Sequence, residues 1–212
     1  MEIPEKYCTI YVVRHGETEA NLHEIVAGHF DSPLTEQGQK QAKSRAEGLK
    51  DTHFDAMFSS DLIRAKRTAE IIALDKKLAV NTTSLIRERF FGDWEGRPTK
   101  EVLEEDRKMI AWRNSLTNEQ KWRSKINYGY ESDEDISWRL TTFLREVAAA
   151  YIGKTICVVV HGSIMRALLM DLGFAKYDEL PPGTIINTGY FVLQSDGVDF
   201  FIKETKGIKK KE

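Results

Sequence analysis

Two short apolar runs, each ending at a His-Gly pair, constrain the fold of this chain more than any other feature. The first is Thr9-Ile10-Tyr11-Val12-Val13, which stops at Arg14-His15-Gly16-Glu17-Thr18. The second is Lys154-Thr155-Ile156-Cys157-Val158-Val159-Val160, which stops at His161-Gly162-Ser163. Both runs are short and rich in β-branched residues, as buried strands are. Ile164–Met170 then has helical character, and Phe54–Ser60 is a further short strand leading into the amphipathic stretch Asp61–Ile72. Alternation of this kind predicts an α/β three-layer sandwich, with a mostly parallel central sheet, helices on both faces and a small helical cap. Helices are expected at 35–49, 62–73, 100–114, 131–151 and 163–172, and a closing hairpin at 184–194 and 198–204 turning through Ser195-Asp196-Gly197.

In open α/β sheets ligands bind beyond the carboxyl ends of the strands, where both His-Gly pairs fall. Arg14 offers a planar fork of donors suited to phosphate or carboxylate oxygens. His15 offers a nitrogen able to attack or to exchange a proton near neutral pH. Alone, the pentapeptide fits a surface turn equally well. The recurrence at His161 is what makes one shared site the better reading, because His23, His29 and His53 have no such framing.

The middle of the chain adds charge. Arg64 falls in the first turn of the helix expected at 62–73, capped by Ser60 or Asp61. Cations are favoured at the other end of a helix, so an arginine there makes sense beside an anion. Lys66 and Arg67 are ordinary solvated positions. Glu88 follows the apolar pair Leu85-Ile86, read as the close of a strand, and can reach the same sheet edge. A carboxyl beside a leaving group can donate a proton and then activate water. A surface salt bridge to Arg87 or Arg89 is the competing reading for Glu88.

Together these stretches resemble the histidine phosphatase superfamily, in its phosphoglycerate-mutase-like branch. The matching residues are Arg14-His15-Gly16-Glu17-Thr18 with Asn21, Pro33-Leu34-Thr35 with Gly38 and Gln41-Ala42, and Ser59–Ala65 with Thr68-Ala69. They continue through Glu88, Phe91-Gly92 and Trp94-Glu95-Gly96, and end at His161-Gly162 with Arg166. The resemblance implies a phosphohistidine mechanism with His15 as nucleophile. It implies that Arg14, Arg64 and His161 surround the phosphoryl group, with His161 protonated, and that Glu88 is the acid and base beneath Phe90, Phe91 and Trp94. Asn21, Gly28 and Gly162 complete the expected phosphate contacts. His15 is expected to donate its second ring N–H to a backbone carbonyl. No metal and no cofactor are called for, since arginines take the place of cations. Two departures touch specificity: Ala27 precedes Gly28 where many relatives place glutamine or threonine, and Val160 precedes His161 where many place a small residue.

The expected activity is metal-independent hydrolysis of a small phosphorylated metabolite. A phosphoglycerate mutase would use the same core, but a mutase calls for a long, strongly cationic cap. The segment at 99–130, expected as a cap inserted into a single domain spanning 1–212, is short and lacks an adjacent arginine pair. Most of its basic residues read as a solvated face, with Arg113 and Arg123 left open as contacts to a second anion. A non-catalytic module that binds a phosphorylated ligand ranks lower, since all the core residues are present. A metal-dependent hydrolase built on His15 and His161 lacks a helix-borne histidine pair. With 212 residues, 41% hydrophobic, and a net charge of -2, the chain suits a globular domain and not a general nucleic-acid binder. The basic tail Lys206–Lys211 reads as frayed and solvated. No run is apolar enough to span a membrane, Met1–Lys6 lacks a leader's apolar core, and Cys8 and Cys157 read as core residues. A cytoplasmic protein follows, with a homodimer allowed.

Overall fold

The computed structural model describes residues 6–211, so Met1–Glu5, on which the reading of the leader partly rests, lie outside the described residues. Among the described residues, one sheet contains β1 (Cys8–Arg14), β2 (Ala56–Ser60), β3 (Val80–Thr83), β4 (Thr155–Val160), β5 (Ile185–Ser195) and β6 (Phe200–Ile208). Their order is β3-β2-β4-β1-β5-β6. The first four are mutually parallel, β5 runs antiparallel to β1, and β6 antiparallel to β5. The two apolar runs became the central neighbours β4 and β1, because only a site covered on both faces can bury every side chain of a strand. Ile156 through Val160 are all fully buried.

Alternate residues of those strands face two helical layers. Ile10, Val12, Ile156, Val158 and Val160 pack against Ile136, Leu140 and Leu144 of α7 (Asp133–Ala150) and Ile164 and Leu168 of α8 (Gly162–Asp171). Val13, Met57, Cys157 and Val159 pack against Ala46 of α2 (Glu36–Gly48) and Ala65, Ala69 and Ile72 of α3 (Ile63–Leu74). Helices therefore cover both faces, as the alternation predicts. A separate small cluster of Trp94, Val102, Ile126 and Tyr130, with Phe91 and Ile110 against it, anchors α4 (Thr99–Glu105) and α5 (Arg107–Ser115); α6 (Asn118–Arg123) follows them in the segment expected as a cap.

Register does the positioning. Strand β1 pairs with β4 from Thr9↔Thr155 to Arg14↔Val160, so the two strands end level and hand over to His15 and His161 together. The backbone N–H of His15 still donates to the carbonyl of Val160, 3.0 Å away. Thr18 caps the short α1 (Glu19–Leu22) in a capping box with Asn21, which turns the chain away from the sheet.

Several expectations need correction. Leu85-Ile86 closes no strand: β3 ends at Thr83 and Ser84–Ile86 form one tight 3-10 turn. The helix expected at 100–114 is broken at Asp106, whose carboxylate receives the Trp94 indole N–H. Neither Ser60 nor Asp61 caps α3; Asp31 reaches across from another loop to accept from Ile63 N–H at 2.9 Å. The basic tail is not frayed through its length. Lys206–Ile208 belong to β6, and the Lys209 and Lys211 amides donate to Thr184 and Glu179. Among the described residues no helix is long and apolar enough to cross a membrane.

Candidate active site

His15 is buried, and its Nδ1 lies 2.6 Å from the carbonyl of Gly16. A carbonyl only accepts, so Nδ1 carries the proton and Nε2 keeps its lone pair. Burial, reinforced by the charges of Arg64 and Arg14, holds the His15 pKa well below the usual imidazole value. The ring is therefore neutral at neutral pH, with Nε2 bare. The ring centroids of His15 and His161 are 5.1 Å apart.

His161 begins α8 and is fully buried. Its Nδ1 accepts from Nε of Arg64 at 3.2 Å, which leaves the proton on Nε2. Its pKa too is pushed well down, by burial first and then by the Arg64 charge. The expectation of a protonated His161 thus gives way to a neutral ring that still donates, through Nε2–H. That donor and Nε of Arg14 are buried and find no acceptor among the described residues. Buried donors almost always have partners, so two orphans on side chains beside His15 mark a place for an anion.

Arg64, 1% exposed, is fixed by three acceptors: Gly28 O at 2.5 Å, Phe30 O at 2.9 Å and His161 Nδ1. Arg14 is held by the carbonyl of Ile185. Burial lowers the pKa of both guanidinium groups. Gly28 serves through its backbone. It sits at φ +51°, and a Cβ there would lie 1.8 Å from Oε1 of Glu95. That same Glu95 carboxylate gathers the amides of His29 (2.7 Å), Phe30 (3.1 Å) and Phe91 (3.0 Å), stitching the Gly28 loop to the loop after Glu88. Sequence reasoning quoted Glu95 within a motif and gave it no role.

Glu88 is buried, with Oε1 accepting from Arg89 N–H at 2.7 Å and Oε2 from Ser163 N–H at 3.0 Å. Arg87 pairs with Asp61 and not with Glu88, and Arg89 pairs with Asp133, so neither salt bridge of the competing reading forms. Glu88 and Arg14 share a cavity of about 210 Å³ with Phe91, Tyr130, Gly162 and Arg166. A broader cleft of about 900 Å³ joins Arg14, Asn21 and Asn187 to Thr99, Lys100, Leu103 and Arg107 of the cap. Asn21 is exposed at that mouth, its Oδ1 accepting from Thr18 N–H at 3.2 Å. The structure thus gathers Arg14, His15, Arg64, Glu88, His161 and Gly162 at one end of the sheet, with Asn21 at the rim and Gly28 behind Arg64.

A second charged centre borders the site and was not foreseen. Asp133, fully buried, receives Arg89, Arg113 at 2.8 Å and the Tyr177 hydroxyl at 2.7 Å, with Arg166 at 3.9 Å. Arg113 is thereby committed within the protein, and Arg123 lies on the surface with Glu119 and Glu134. Among the described residues no group of three or more His, Cys, Asp or Glu side chains is placed to hold a metal ion.

The chain belongs to the histidine phosphatase superfamily, whose branch 1 family model matches residues 10–206. Among its relatives, the adenosylcobalamin/alpha-ribazole phosphatase of Escherichia coli is 32% identical over 77% of this chain and 78% of that protein. The phosphoglycerate mutase-like protein 4 of Arabidopsis thaliana is 37% identical over 76% of this chain and 70% of that protein. Bacillus stearothermophilus YhfR superposes with a TM-score of 0.81 at 25% identity, covering 95% of this chain and 97% of that structure.

Proposed function

We propose that this protein is a phosphatase that hydrolyses a small phosphorylated metabolite through a phosphohistidine on Nε2 of His15. The observation that carries the reading is a His15 ring whose proton is held on Nδ1, leaving Nε2 bare, 5.1 Å from the ring of His161 whose Nε2–H, like Nε of Arg14, has no acceptor among the described residues. Phosphoryl transfer leaves little covalent work to the protein beyond positioning and offsetting charge. Arg14 and Arg64 supply fixed positive charge without a proton to lose, and His161 Nε2–H adds a neutral donor. His15 attacks phosphorus in line as the ester oxygen departs, and Glu88 delivers a proton to that oxygen. Water then attacks the phosphohistidine, Glu88 takes its proton, and phosphate leaves with His15 restored.

Hydrolysis is favoured over mutase chemistry by the cap. A mutase must keep water from the phosphohistidine, whereas α5 and α6 bury none of their own residues and the cleft at Arg14 is bordered from this segment by Thr99, Lys100, Leu103, Glu104 and Arg107, with no residue of α6. The mutase-like relative keeps the second reading in play, as does the arginine set around Asp133 on the cap side. Cys8 and Cys157 are both free and buried, which supports a reducing, cytoplasmic setting.

The test is chemical quench of the enzyme with p-nitrophenyl phosphate in chelator. Acid-labile phosphate on the protein, absent from His15→Ala, is expected. Steady-state assays with phosphoglycerates, with and without the bisphosphate, then compare the two activities. Interconversion far faster than phosphate release would overturn the hydrolase reading.

A further inference from the structure

Strand β5 does not run regularly past the nucleophile. Its register with β6 shifts between Ile185 and Tyr190, and within that irregularity Thr188 adopts φ +57°. A β-branched residue rarely enters the left-handed region, because its Cβ crowds the neighbouring carbonyl. Such an outlier persists only where its surroundings hold it, and held outliers collect at working sites.

Thr188 is held from both sides. Its N–H donates to the carbonyl of His15 at 3.3 Å. Its own carbonyl accepts from Nε of Arg45 at 2.8 Å, and the Arg45 guanidinium lies 4.6 Å over the Tyr190 ring. The neighbouring Asn187 Nδ2 also donates to the His15 carbonyl, at 3.2 Å, and reaches Asn21 Oδ1 at 3.4 Å. The far side of the same peptide is fixed as well: Gly16 N–H donates to Thr68 Oγ1 at 3.0 Å, and that hydroxyl donates to Arg64 O at 2.8 Å. The His15–Gly16 peptide is thus clamped on both edges. The next carbonyl, that of Gly16, receives the His15 Nδ1 proton and so aims Nε2.

We infer that Asn187 and Thr188 are positioning residues for His15, and that Arg45 is the lock holding Thr188 in its left-handed conformation. The inference rests on His15 being the phosphoryl acceptor. Arg45 lines none of the cavities that Arg14 borders, so its influence runs through Thr188 and not through contact with substrate.

The test is the burst of p-nitrophenol from p-nitrophenyl phosphate, read as the rate of His15 phosphorylation, with inorganic phosphate affinity measured separately by competition. Arg45→Ala is expected to phosphorylate about tenfold to a hundredfold more slowly, since misplacement of a reacting atom by an ångström has that effect. Phosphate affinity should stay within about twofold, because the phosphate contacts themselves are untouched. Adding Thr188→Gly to Arg45→Ala should restore most of the rate, because glycine holds a positive φ without a lock. A purely structural Arg45 would lower the unfolding temperature, leave the burst rate unchanged and gain nothing from Thr188→Gly; that outcome overturns the inference. Asn187→Ala, at a half-buried position that folding tolerates better, gives a second measure: a burst rate equal to that of the unaltered enzyme also overturns it. Absence of any phosphohistidine in the unaltered enzyme sinks the functional reading and the inference with it, whereas a normal burst in Arg45→Ala sinks the inference alone.

Discussion

Asp133→Asn is the substitution whose effect the structure defines most sharply. The side chain keeps its shape and one acceptor oxygen, so packing is unchanged, while the charge is lost and an amide donor replaces the second acceptor. That charge sits fully buried among Arg89, Arg113 and Arg166, with the Tyr177 hydroxyl on the same oxygen as Arg113. Burial works against the carboxylate, but Arg89, Tyr177, Arg113 and Arg166 outweigh it and hold the Asp133 pKa below the usual value. Removing one partner of a buried pair leaves the others uncompensated, at about 3–5 kcal/mol. For a domain of this size each kcal/mol lowers the melting temperature by about 2–4 °C. The expected fall is therefore roughly 6–20 °C, against a total stability of about 5–15 kcal/mol.

Urea denaturation followed by tryptophan fluorescence measures the difference, provided the slope with urea is unchanged. Arg123→Ala is the matched control. Its side chain is 64% exposed beside Glu119 and Glu134, so its removal should stay within about 0.5 kcal/mol. A loss under about 1 kcal/mol for Asp133→Asn would refute the reasoning, because it would mean that water already screens the cluster.

Three further outcomes follow from the same geometry. Glu88→Gln should slow phosphorylation of His15 by an alkyl phosphate by about a hundredfold to ten-thousandfold and spare phosphorylation by an aryl phosphate, whose leaving group needs no proton. Release of phosphate should slow for both; equal losses in the phosphorylation step would remove Glu88 as the acid. Gly28→Ala should destabilise by about 2–4 kcal/mol, because the residue holds φ +51° and the new Cβ meets Glu95. Pairing it with Glu95→Ala should recover part of that loss, and simple additivity in the double variant would show that the two do not meet. His15 and His161 have folded pKa values well below their unfolded ones, so the unfolded chain binds more protons below about pH 6.5. Their contribution is intact above that pH and lost as pH falls through about 6.5 towards 5, by up to about 1.4 kcal/mol per pH unit for each ring. Urea midpoints across that window should show the slope, with His161→Gln reducing it; stability that rises on acidification would contradict the neutral rings.

The parts of this fold legible in the sequence were those set by local pattern. Ile156–Val160 read as a buried strand because no exposed strand could carry five consecutive apolar side chains. The misreadings arose where a distant side chain decided a local conformation. Nothing near Asp106 announces a helix break, since the Trp94 indole that takes its carboxylate comes from another loop. Leu85 and Ile86 look like strand residues, yet Arg139 on α7 donates to the carbonyls of Leu85 and Arg87 and holds the chain in its turn. Asp133 stands in the first turn of α7 with Glu134 and Asp135, where acids are favoured in any helix. Its partners Arg89, Arg113 and Arg166 come from three separated segments, so only the folded chain reveals it as the centre of a buried cluster.

The way they are held sets Arg14 and Arg64 apart from Arg87, Arg89, Arg113 and Arg139. Arg87, Arg89, Arg113 and Arg139 are paired with Asp61, Asp133, Asp133 and Glu131, and a carboxylate both orients a guanidinium and cancels its charge. Arg14 and Arg64 are held by backbone carbonyls and a neutral imidazole, which orient without cancelling. Burial then pulls down the pKa of both, a sign that their charge lacks full compensation inside the protein. A phosphoryl group carrying about two negative charges near neutral pH would supply that compensation from outside. The neutral histidines fit the same logic: a cation on either ring would repel the arginines, whereas a bare Nε2 on His15 and an N–H on His161 add the proposed nucleophile and a donor at no electrostatic cost. The pocket is thus charged by groups that cannot lose a proton and worked by groups that need not gain one.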